Sequence, residues 1–445
     1  MSLNLILLAA GDGTRMQSAL PKVLHEIAGA PMIVHALASA EGLEVDHRVL
    51  VLGNGSDAVL EALEDTDAIA VEQTERKGTA HAVLCAKDAL ANAHGDAVVL
   101  YGDTPFIRPE TLEAMAAERA KGADVVILGF EAADPARYGR LVMDGDQLDR
   151  IVEYKDASEA ERAINLCNSG VVMADCARLM ELCAQVGNNN SAGEFYLTDI
   201  VALARADGKR VAVVTCNEAE TMGVNSRADL AAAEAAFQAR ARREALDAGV
   251  TLVAPETVWF SFDTVIGRDA FVEPNVFFGP GVTVESGARI KGFSHLEGAH
   301  VSEGAAVGPF ARLRPGAEIG GDARVGNFVE IKNSVLAEGA KVGHLTYLGD
   351  ADIGARANIG AGTVTCNYDG VFKHRTEIGQ DAFIGSDTML VAPVTVGDGA
   401  MTATGSVITK DIEAGDMAVA RARQENKPGF AAAFFKRLRA LKAKG

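Results

Sequence analysis

The second half of the chain places an aliphatic residue at every sixth position, with occasional five-residue steps, from about residue 265 to residue 408. The series runs Ile266, Val272, Phe278, Val284, Ile290, Leu296, Val301, Val307, Leu313, Ile319, Val325, Ile331, Leu336, Val342, Leu348, Ile353, Ile359, Thr365, Ile378, Ile384, Leu390, Val396, Thr402 and Ile408. A helix has a period near 3.6 and a strand a period of 2, so neither explains this spacing. A period of six is typical of a solenoid whose coils each contain three short strands, each with one inward side chain. The pattern therefore predicts a parallel β-helix of about eight coils.

The first half has a different pattern, in which short apolar runs alternate with helical stretches. The apolar runs cover residues 3–10, 48–52, 97–101, 124–130 and 210–215, and helical stretches cover residues 79–91 and 109–121. A near-continuous apolar run is typical of a strand that is buried on both faces. The alternation predicts a parallel, doubly wound α/β sheet. Ligands bind such sheets at the carboxyl ends of the strands, so the loops there are candidate binding loops.

A helical segment separates the two halves. Ser226 and Asp229 have the spacing of a capping box, residues 230–248 are rich in Ala, Glu and Arg, and Gly249 ends the segment. We therefore predict a first domain over residues 1–225, a linker helix over residues 226–249, and a β-helix domain over residues 250–445. Residues 430–444 form an amphipathic basic helix at the end of that domain, too small in charge to argue for a membrane.

Composition excludes several classes of protein. The chain has 445 residues and a net charge of −19 at pH 7, which argues against nucleic acid as a partner because such a partner requires a basic surface. No apolar run is long enough to span a membrane, and the amino terminus lacks the basic region of a signal peptide. The six cysteines show neither a CxxC pair nor metal-ligand spacing, which indicates reduced thiols. We therefore expect a cytoplasmic protein without membrane insertion.

The loop after the first predicted strand has the composition of a phosphate site. Gly11 and Gly13 allow backbone N–H groups to approach phosphate oxygens, and Arg15 and Lys22 add two positive charges. A Gly-x-Gly sequence alone is as often an ordinary tight turn as a phosphate site. The loop lacks the third glycine of a dinucleotide-binding fingerprint and the Lys-Ser/Thr pair of a Walker loop, so neither of those sites is predicted.

Taken as a whole, residues 8–24 resemble the signature of the sugar-nucleotide pyrophosphorylases, and further motifs follow in the order of that family. The resemblance implies that UTP and the nucleotide sugar contact Leu8, Ala9, Ala10, Gly11, Gly13, Thr14, Lys22, Gln73, Gly78, Thr79, Tyr101, Gly102, Asp103, Gly139, Glu153, Asn168 and Asn225. Asp12 departs from the family pattern, in which this position is often Lys, and we expect its side chain to point to solvent.

Together with the hexapeptide tract, these motifs resemble a family of bacterial bifunctional enzymes, and the resemblance covers almost the whole chain. These enzymes combine glucosamine-1-phosphate acetyltransferase with N-acetylglucosamine-1-phosphate uridylyltransferase and make UDP-N-acetylglucosamine for the cell envelope. The resemblance implies a left-handed coil, a homotrimer, UTP and acetyl-CoA as substrates, and Mg²⁺ as the cofactor. It also implies that acetyl transfer comes first, in the second half, and that uridylyl transfer follows, in the first half.

The uridylyl transfer joins two anions, since the sugar phosphate attacks the α-phosphorus of UTP and pyrophosphate leaves. Such a reaction needs charge neutralisation and in-line positioning rather than covalent catalysis. Asp103, with Asn225 as a neutral oxygen ligand, suits a magnesium ion that keeps water and phosphate ligands. We predict that Lys22 and Arg15 stabilise the charge that develops on the phosphorus and the pyrophosphate. The alternative for Asp103 is a strand-end acid that caps the following turn.

The candidate acetyl-transfer site is predicted from cations that gather around a histidine once the coils are stacked. The hexapeptide period is interrupted at residues 366–374, and a loop that leaves a regular prism is often part of a site. The resemblance makes His344 the general base that takes a proton from the amine of glucosamine-1-phosphate, with Glu330 or Asn367 holding the imidazole tautomer. The sugar phosphate and coenzyme A are assigned to Arg314, Lys332, Tyr347, Asn358, Ala361, Asn367, Tyr368, Lys373, Ser386, Thr404 and Arg421.

Some assignments remain open at this stage. Thr404 departs from the family, which often has Ala there, and Arg423 competes with Arg421 for the same role. The helix over residues 430–444 either covers the coenzyme site of a neighbouring subunit or lies in solvent. The sequence leaves two alternative functions open. The first is a single-activity sugar nucleotidylyltransferase whose β-helix only oligomerises and senses an effector. The second is a non-catalytic scaffold.

Overall fold

The computed structural model describes residues 2–11, 13–53, 56–64, 66–136, 138–190 and 192–443. The chain divides into two compact units, residues 1–241 and residues 242–445. Asp12, for which we expect solvent exposure, lies outside the described residues.

The first unit is built on a mostly parallel sheet, as the sequence predicts. The strands of this unit are β1 Leu3–Ala9, β2 Glu26–Ile27, β3 Ala30–Pro31, β4 Val45–Leu52, β5 Ala68–Glu72, β6 Asp96–Tyr101, β7 Val125–Glu131, β8 Arg140–Asp144, β9 Gln147–Val152, β10 Leu166–Asp175 and β11 Val211–Cys216. Strands β2 and β3 form a separate two-stranded sheet. The helices that begin in this unit are α1 Met32–Ala38, α2 Asp57–Glu61, α3 Thr79–Cys85, α4 Pro109–Ala120, α5 Glu159–Arg162, α6 Cys176–Gln185, α7 Ile200–Ala206 and α8 Arg227–Asp247.

The main path of the sheet has the strand order β11-β7-β10-β6-β1-β4-β5. The sequence predicts a parallel sheet, and this is wrong for β10, which is antiparallel to β6 and β7, and for β8 and β9, which form an antiparallel hairpin beside β10. Strands β2, β3, β5, β8, β9 and β10 have no counterpart among the predicted strands. The apolar run of β5 covers only residues 68–71, and such a short run does not distinguish a strand from a buried helical segment.

Alternate residues of β1 explain why its sequence is almost entirely apolar. Ile6 and Leu8 pack into the core on one face of the sheet, whereas Leu5 and Leu7 pack into the core on the other face. Side chains on successive strand residues point to opposite faces, so a strand covered by helices on both faces is filled mainly by apolar residues. Its one polar residue, Asn4, is buried and donates to the carbonyls of His94 at 3.0 Å and Asp96 at 3.1 Å. The carboxyl ends of β1 and β6 therefore meet at one edge, where Gly102 N–H donates to the carbonyl of Leu8 at 3.0 Å.

The second unit is a parallel β-helix with three faces, which confirms the solenoid prediction. One face contains the strands Val265–Ile266, Thr283–Val284, Ala299–Val301, Ala317–Ile319, Ser334–Leu336, Ala351–Ile353, Thr376–Ile378 and Val394–Val396. The second face contains Thr251–Leu252, Phe271–Val272, Arg289–Ile290, Ala306–Val307, Asn358–Ile359, Phe383–Ile384, Met401–Thr402 and Met417–Ala418, and the third contains Phe277–Phe278, His295–Leu296, Arg312–Leu313, Val364–Cys366, Met389–Val391 and Val407–Ile408. Two longer strands, Arg324–Lys332 and Lys341–Gly349, turn a corner and belong to both the second and third faces.

The interior of the prism is formed by the hexapeptide series. Each member after Ile266 is buried, including Thr365 and Thr402. The hydroxyl of Thr365 donates to the carbonyl of Gly349 at 3.0 Å and accepts from its N–H at 2.8 Å, so this polar group is satisfied inside the prism. The predicted interruption is a loop over residues 367–375 that leaves the prism between Val364–Cys366 and Thr376–Ile378.

Two helices flank the prism in the sequence. Helix α8 covers the segment for which the sequence predicts a linker helix, and Gly249 follows it with a φ of 88°. Helix α9, Phe430–Lys442, is exposed along its whole length and carries four cations, Lys436, Arg437, Arg439 and Lys442. Among the described residues, no helix is long and apolar enough to cross a membrane.

Candidate active sites

Three side chains from distant parts of the first unit converge at the carboxyl edge of its sheet. Asp103 follows β6, Lys22 opens the 3-10 helix Lys22–Leu24 in the loop after β1, and Asn225 lies two residues before α8. The ammonium group of Lys22 forms an ion pair with Asp103 and donates to Oδ1 of Asn225 at 3.2 Å. The structure thus brings together a cation and the two oxygen ligands that the sequence assigns to Mg²⁺.

The loop between β1 and Lys22 folds tightly because of Gly13. This residue has a φ of 58°, and a Cβ there would lie only 2.6 Å from the Cβ of Lys22. A side chain at this position would therefore meet both backbone strain and a steric clash. Thr14 and Arg15 follow on the 3-10 helix Thr14–Met16, and both are exposed.

A cavity of about 250 Å³ lies beside this loop. Its lining includes ten of the predicted nucleotide residues: Leu8, Ala9, Ala10, Gly11, Lys22, Gln73, Gly78, Thr79, Tyr101 and Asp103. The side chain of Gln73 is buried, and its Nε2 donates to the carbonyl of Gly78 at 3.2 Å. Thr14 and Arg15, like the candidates Gly13, Gly102 and Asn225, lie outside this lining.

A second cavity, of about 550 Å³, adjoins the first and shares Thr79 and Tyr101 with it. Glu153 and Asn168, both predicted, line it, and Asn168 N–H donates to the carbonyl of Gly139 at 2.9 Å. Aromatic rings and polar groups alternate around the cavity, with Tyr154, Lys155, Asp156, Tyr196, Leu197 and Thr198 among the lining residues. A wall of this kind suits a sugar, which presents hydroxyl groups at its edge and apolar C–H groups on its face.

Burial shifts the pKa of two ionisable side chains in this second cavity. Burial raises the pKa of Glu153, and the nearby carboxylates of Asp156 and Asp199 raise it further. Burial also raises the pKa of Tyr101, whose hydroxyl is hydrogen-bonded to Thr79. Tyr101 is therefore a neutral hydrogen-bonding group near neutral pH, as a site for sugar hydroxyls requires.

Gly78 is essential to the wall between the two cavities. Its φ is 116°, and a Cβ there would lie 2.5 Å from the carbonyl oxygen of Phe195. Phe195 N–H donates to the carbonyl of Lys77 at 2.8 Å, and Leu197 N–H donates to the hydroxyl of Thr79 at 2.9 Å. The segment that follows β5 is thereby held against the segment that precedes α7.

One charged residue of the nucleotide cavity, Arg76, is absent from the sequence-based candidates. It lines the 250 Å³ cavity together with Glu194, which begins the family motif over residues 194–199. Arg76 belongs to the loop that follows β5, the strand that the sequence pattern does not reveal. Had β5 been recognised, a cation in the loop at its carboxyl end would have indicated a further phosphate contact.

In the second unit, His344 lies at a corner of the prism and is exposed. Its Nδ1 is 2.6 Å from Oδ1 of Asn327, which lies directly below it in the preceding coil. An amide oxygen only accepts hydrogen bonds, so Nδ1 carries the proton and Nε2 presents its lone pair to solvent.

The expectation that Glu330 or Asn367 holds this tautomer is wrong. Glu330 instead accepts from Arg314 at 2.9 Å. The amide of Asn367 donates to Asp350 at 2.5 Å. The residue that holds His344 is one coil earlier, a neighbour that the six-residue pattern does not single out.

Three predicted cations gather near the loop over residues 367–375. The adjacent ammonium group of Lys373 lowers the pKa of Lys332, and Arg314 lowers it further. Hydrogen bonds from Asn333 and Asn367 lower the pKa of Asp350 in spite of its burial, so this carboxylate is an anion beside the cations. Neighbouring like charges at the surface repel one another, and a bound phosphate would relieve that repulsion. Tyr347 lies over Gly349, close to the amide of Asn367.

The predicted coenzyme residues lie in one column with His344. His344, Ala361, Ser386 and Thr404 each lie two residues beyond a position that is paired to the next coil. The corners are joined by backbone bonds, from Asp387 N–H to Ala361 at 2.7 Å and from Gly405 N–H to Ser386 at 2.8 Å.

The remaining coenzyme candidates extend or flank this column. Arg421 lies at its end, where its Cδ is 4.0 Å from the position of a Cβ on Gly405. Asn358 pairs with Lys341 and Phe383 on the adjoining face. Tyr368 is exposed at the start of the inserted loop.

Comparison with known proteins assigns both halves. Residues 5–168 match the family model of the MobA-like NTP transferase domain, and residues 375–410 match that of the bacterial transferase hexapeptide (six repeats). The bifunctional protein GlmU of Ruegeria sp. (strain TM1040) is 63% identical over 445 residues, which cover 100% of this chain and 99% of that protein. The bifunctional protein GlmU of Dinoroseobacter shibae is 64% identical over 448 residues and is covered over 100% of both chains. The chain therefore belongs to the family of the bifunctional protein GlmU, as a transferase with a nucleotidyltransferase unit followed by a hexapeptide-repeat acyltransferase unit.

Proposed function

We propose that the chain makes UDP-N-acetylglucosamine in two steps, each at its own site. The His344 corner of the second unit transfers the acetyl group of acetyl-CoA to glucosamine-1-phosphate. The two adjoining cavities of the first unit then join N-acetylglucosamine-1-phosphate to UTP and release pyrophosphate. The observation that carries this proposal is the presence of two separate groups of cations in a chain whose net charge is −19. Lys22 and Arg76 line the nucleotide cavity, and Arg314, Lys332 and Lys373 lie beside the inserted loop.

In the first unit the 250 Å³ cavity holds UTP and the 550 Å³ cavity holds the sugar. The backbone of residues 8–11 faces the phosphates, Gln73 faces the base, and Glu153 accepts from sugar hydroxyl groups. Because the two cavities share Thr79 and Tyr101, the sugar phosphate and the nucleotide meet at their common wall. Lys22 neutralises the negative charge that builds up on the phosphoryl groups as the new P–O bond forms and the bond to pyrophosphate breaks.

A magnesium ion fits the oxygens of Asp103 and Asn225. Both oxygens converge on a single cationic atom, Nζ of Lys22, and both belong to the oxygen type that Mg²⁺ prefers. The described residues contain no group of three or more His, Cys, Asp or Glu side chains that could hold a metal ion, so phosphates and water would supply the rest of the shell. When bound, the ion would neutralise phosphate charge and orient the phosphoryl groups.

In the second unit His344 acts as the general base. Its Nε2 takes a proton from the 2-amino group as the nitrogen attacks the thioester carbon, the C–N bond forms, and the C–S bond breaks. The coenzyme leaves as a thiol once it has received a proton. Arg314, Lys332 and Lys373 hold the sugar phosphate, and the column from Ala361 to Arg421 holds coenzyme A.

We further propose that the enzyme is a cytoplasmic homotrimer. Phe293, Phe310, Phe328 and Leu345 stack along one corner, are 45–62% exposed, and all have positive φ. A positive φ is energetically unfavourable for a large side chain, and an exposed apolar side chain gains little burial energy in the isolated chain. Contact with a second copy of the chain would bury these side chains and so account for them. The cytoplasmic location is supported by the six cysteines, all of which are described and all of which are free thiols.

A coupled assay tests the proposed function. The protein is incubated with glucosamine-1-phosphate, acetyl-CoA, UTP and Mg²⁺, and each component is omitted in turn while thiol and pyrophosphate are measured. We expect thiol release without UTP, and pyrophosphate release from N-acetylglucosamine-1-phosphate without acetyl-CoA. Pyrophosphate release with no thiol release would favour the single-activity nucleotidylyltransferase, and neither product would favour the scaffold. The trimer is tested by light scattering on the native chain and on Phe310→Ser, which we expect to weaken assembly.

A further inference from the structure

The first turn of α8 connects the separate elements of the proposed uridylyl-transfer site. Arg227 and Asp229 belong to this turn and Ser226 precedes it, and none of the three lines either cavity of the site. Ser226 directly follows Asn225, one of the two candidate metal ligands. The side chains of these residues contact the backbone of Asn225 and the loop that contains Arg15 and Lys22.

Asp229 fixes the backbone at Asn225. Its Oδ2 accepts from the N–H groups of Asn225 at 3.0 Å and of Ser226 at 2.8 Å, and the Ser226 hydroxyl accepts from Asp229 N–H at 3.2 Å. This is a capping box with an aspartate in place of glutamate. Although burial opposes it, these hydrogen bonds lower the pKa of Asp229, and the charge of Arg15 contributes to the shift.

Arg227 contacts the middle and the carboxyl end of the loop between β1 and β2, the loop that carries Arg15 and Lys22. Its Nε donates to the carbonyl oxygen of Met16 at 3.3 Å, and its Nη1 donates to Nδ1 of His25 at 3.2 Å. Met16 is the residue after Arg15 and is buried. His25 is also buried, and its N–H donates to the carbonyl of Lys22 at 3.2 Å.

We infer that Arg227 is a positioning residue for uridylyl transfer, an inference that rests on the proposed function. Its planar guanidinium presents donors in fixed directions, so one side chain holds Met16 and His25, which flank Lys22 in the loop, at a set separation. Because α8 begins with the same turn, the loop that carries Lys22 is kept in register with Asn225. Lys22 reaches Asp103 and Asn225 only if this register is kept, and a displacement of about 1 Å costs on the order of 100-fold in rate.

The test compares Arg227→Gln with Arg243→Gln, the same change at an exposed position farther along α8. We expect Arg227→Gln to lower kcat for uridylyl transfer about 10- to 100-fold. The KM for UTP should change less than about threefold, because the residues that line the cavity remain. Acetyl transfer by the same sample should be unchanged, and Arg243→Gln should match the wild type in both reactions. Binding of UTP without metal, measured by calorimetry, provides a readout that does not depend on turnover.

Two outcomes overturn the inference: an unchanged kcat in Arg227→Gln, or a UTP affinity that falls in step with kcat. If Arg227→Gln melts earlier than the wild type, Arg227→Lys decides, because it keeps the charge but loses the fixed pair of donors. A lower kcat at an unchanged melting temperature supports positioning, and a wild-type kcat rejects it. Failure of the proposed function is seen separately, since the wild type would then release no pyrophosphate.

Discussion

Nδ1 of His344 lies 2.6 Å from Oδ1 of Asn327 in the coil below, and this contact sets the tautomer of the candidate base. Asn327→Leu would remove this acceptor at nearly the same side-chain size, so the contact that orients the imidazole is lost. A misplaced catalytic group costs on the order of 100-fold in rate, and we expect acetyl transfer to fall by about that factor. Uridylyl transfer by the same variant should stay at the wild-type rate, and unchanged acetyl transfer would contradict the assignment.

Removal of the imidazole itself should separate the two activities. We expect His344→Ala to lower acetyl transfer about 100- to 10,000-fold, the usual range for loss of a general base. Uridylyl transfer should be unaffected, because its residues belong to the other unit. Thiol release and pyrophosphate release, measured on one preparation, give both numbers, and a loss of both activities would refute independent sites.

The opposite separation is expected for Asp103→Ala. This change removes one candidate oxygen ligand for Mg²⁺ and the anionic partner of Lys22. Pyrophosphate release with saturating Mg²⁺ should fall at least about 100-fold, and thiol release should remain at the wild-type rate. Unchanged uridylyl transfer would instead support the alternative in which Asp103 only caps its turn.

The cations beside the inserted loop should affect substrate affinity more than turnover. Lys332→Ala or Lys373→Ala removes one positive charge from the proposed phosphate pocket, and we expect the KM for glucosamine-1-phosphate to rise about tenfold. Lys410→Ala, which removes an exposed lysine on a later coil, serves as the matched control. Because charge attraction at a surface is screened, the effect should shrink as the salt concentration rises. A KM that stays the same in both variants would place the phosphate elsewhere.

His25 gives the first unit a predicted dependence on pH. Burial lowers the pKa of His25 below its ordinary value of 6.5, and the charge of Arg227 lowers it further. The unfolded chain then binds a proton at a higher pH than the folded chain, so the free energy of unfolding falls as the pH drops below about 6.5. His25→Gln does not titrate and keeps an acceptor, so it should flatten this part of the curve. Urea unfolding of the first unit between pH 5 and 7 measures the effect, and equal slopes for both proteins would contradict it.

The sequence predicts those parts of the fold that repeat or that are apolar throughout. The hexapeptide series marks the interior of the prism because each inward position must be filled, and the runs at β1, β4, β6, β7 and β11 mark strands buried on both faces. Strands β5 and β10 are not predicted, because β5 has only four consecutive apolar residues and a polar segment, residues 168–170, interrupts β10. The antiparallel direction of β10 depends on tertiary pairing.

The same distinction holds for the candidate sites: residues within motifs are predicted, and residues whose role depends on tertiary packing are not. Lys22 and Asp103 are 81 residues apart in sequence. The sequence predicts both as site residues because each lies in a motif, Lys22 as a cation suited to phosphate and Asp103 as a carboxylate suited to a metal ion. The sequence does not predict a role for Asn327 or Arg227, because neither belongs to a motif. Their roles depend on the stacking of one coil on the next and on where α8 begins, and both are properties of the folded chain.

Gly326 offers the sharpest test of the stacked coils. A Cβ on Gly326 would overlap the carbonyl oxygen of Gly343 in the next coil, whereas a Cβ on Gly343 has no neighbour within 4 Å among the described residues. Because the clash is with backbone, the coils would have to separate, and we expect Gly326→Ala to destabilise the second unit by about 3 kcal/mol or more. Gly343→Ala should stay within about 0.5 kcal/mol of the wild type. Thermal or urea unfolding of the two variants measures the difference.

Since Asn327 and His344 lie directly after these glycines, acetyl transfer in Gly326→Ala should fall with the loss of their contact, while pyrophosphate release continues. Equal stabilities for the two variants would show that the coils are not packed as described.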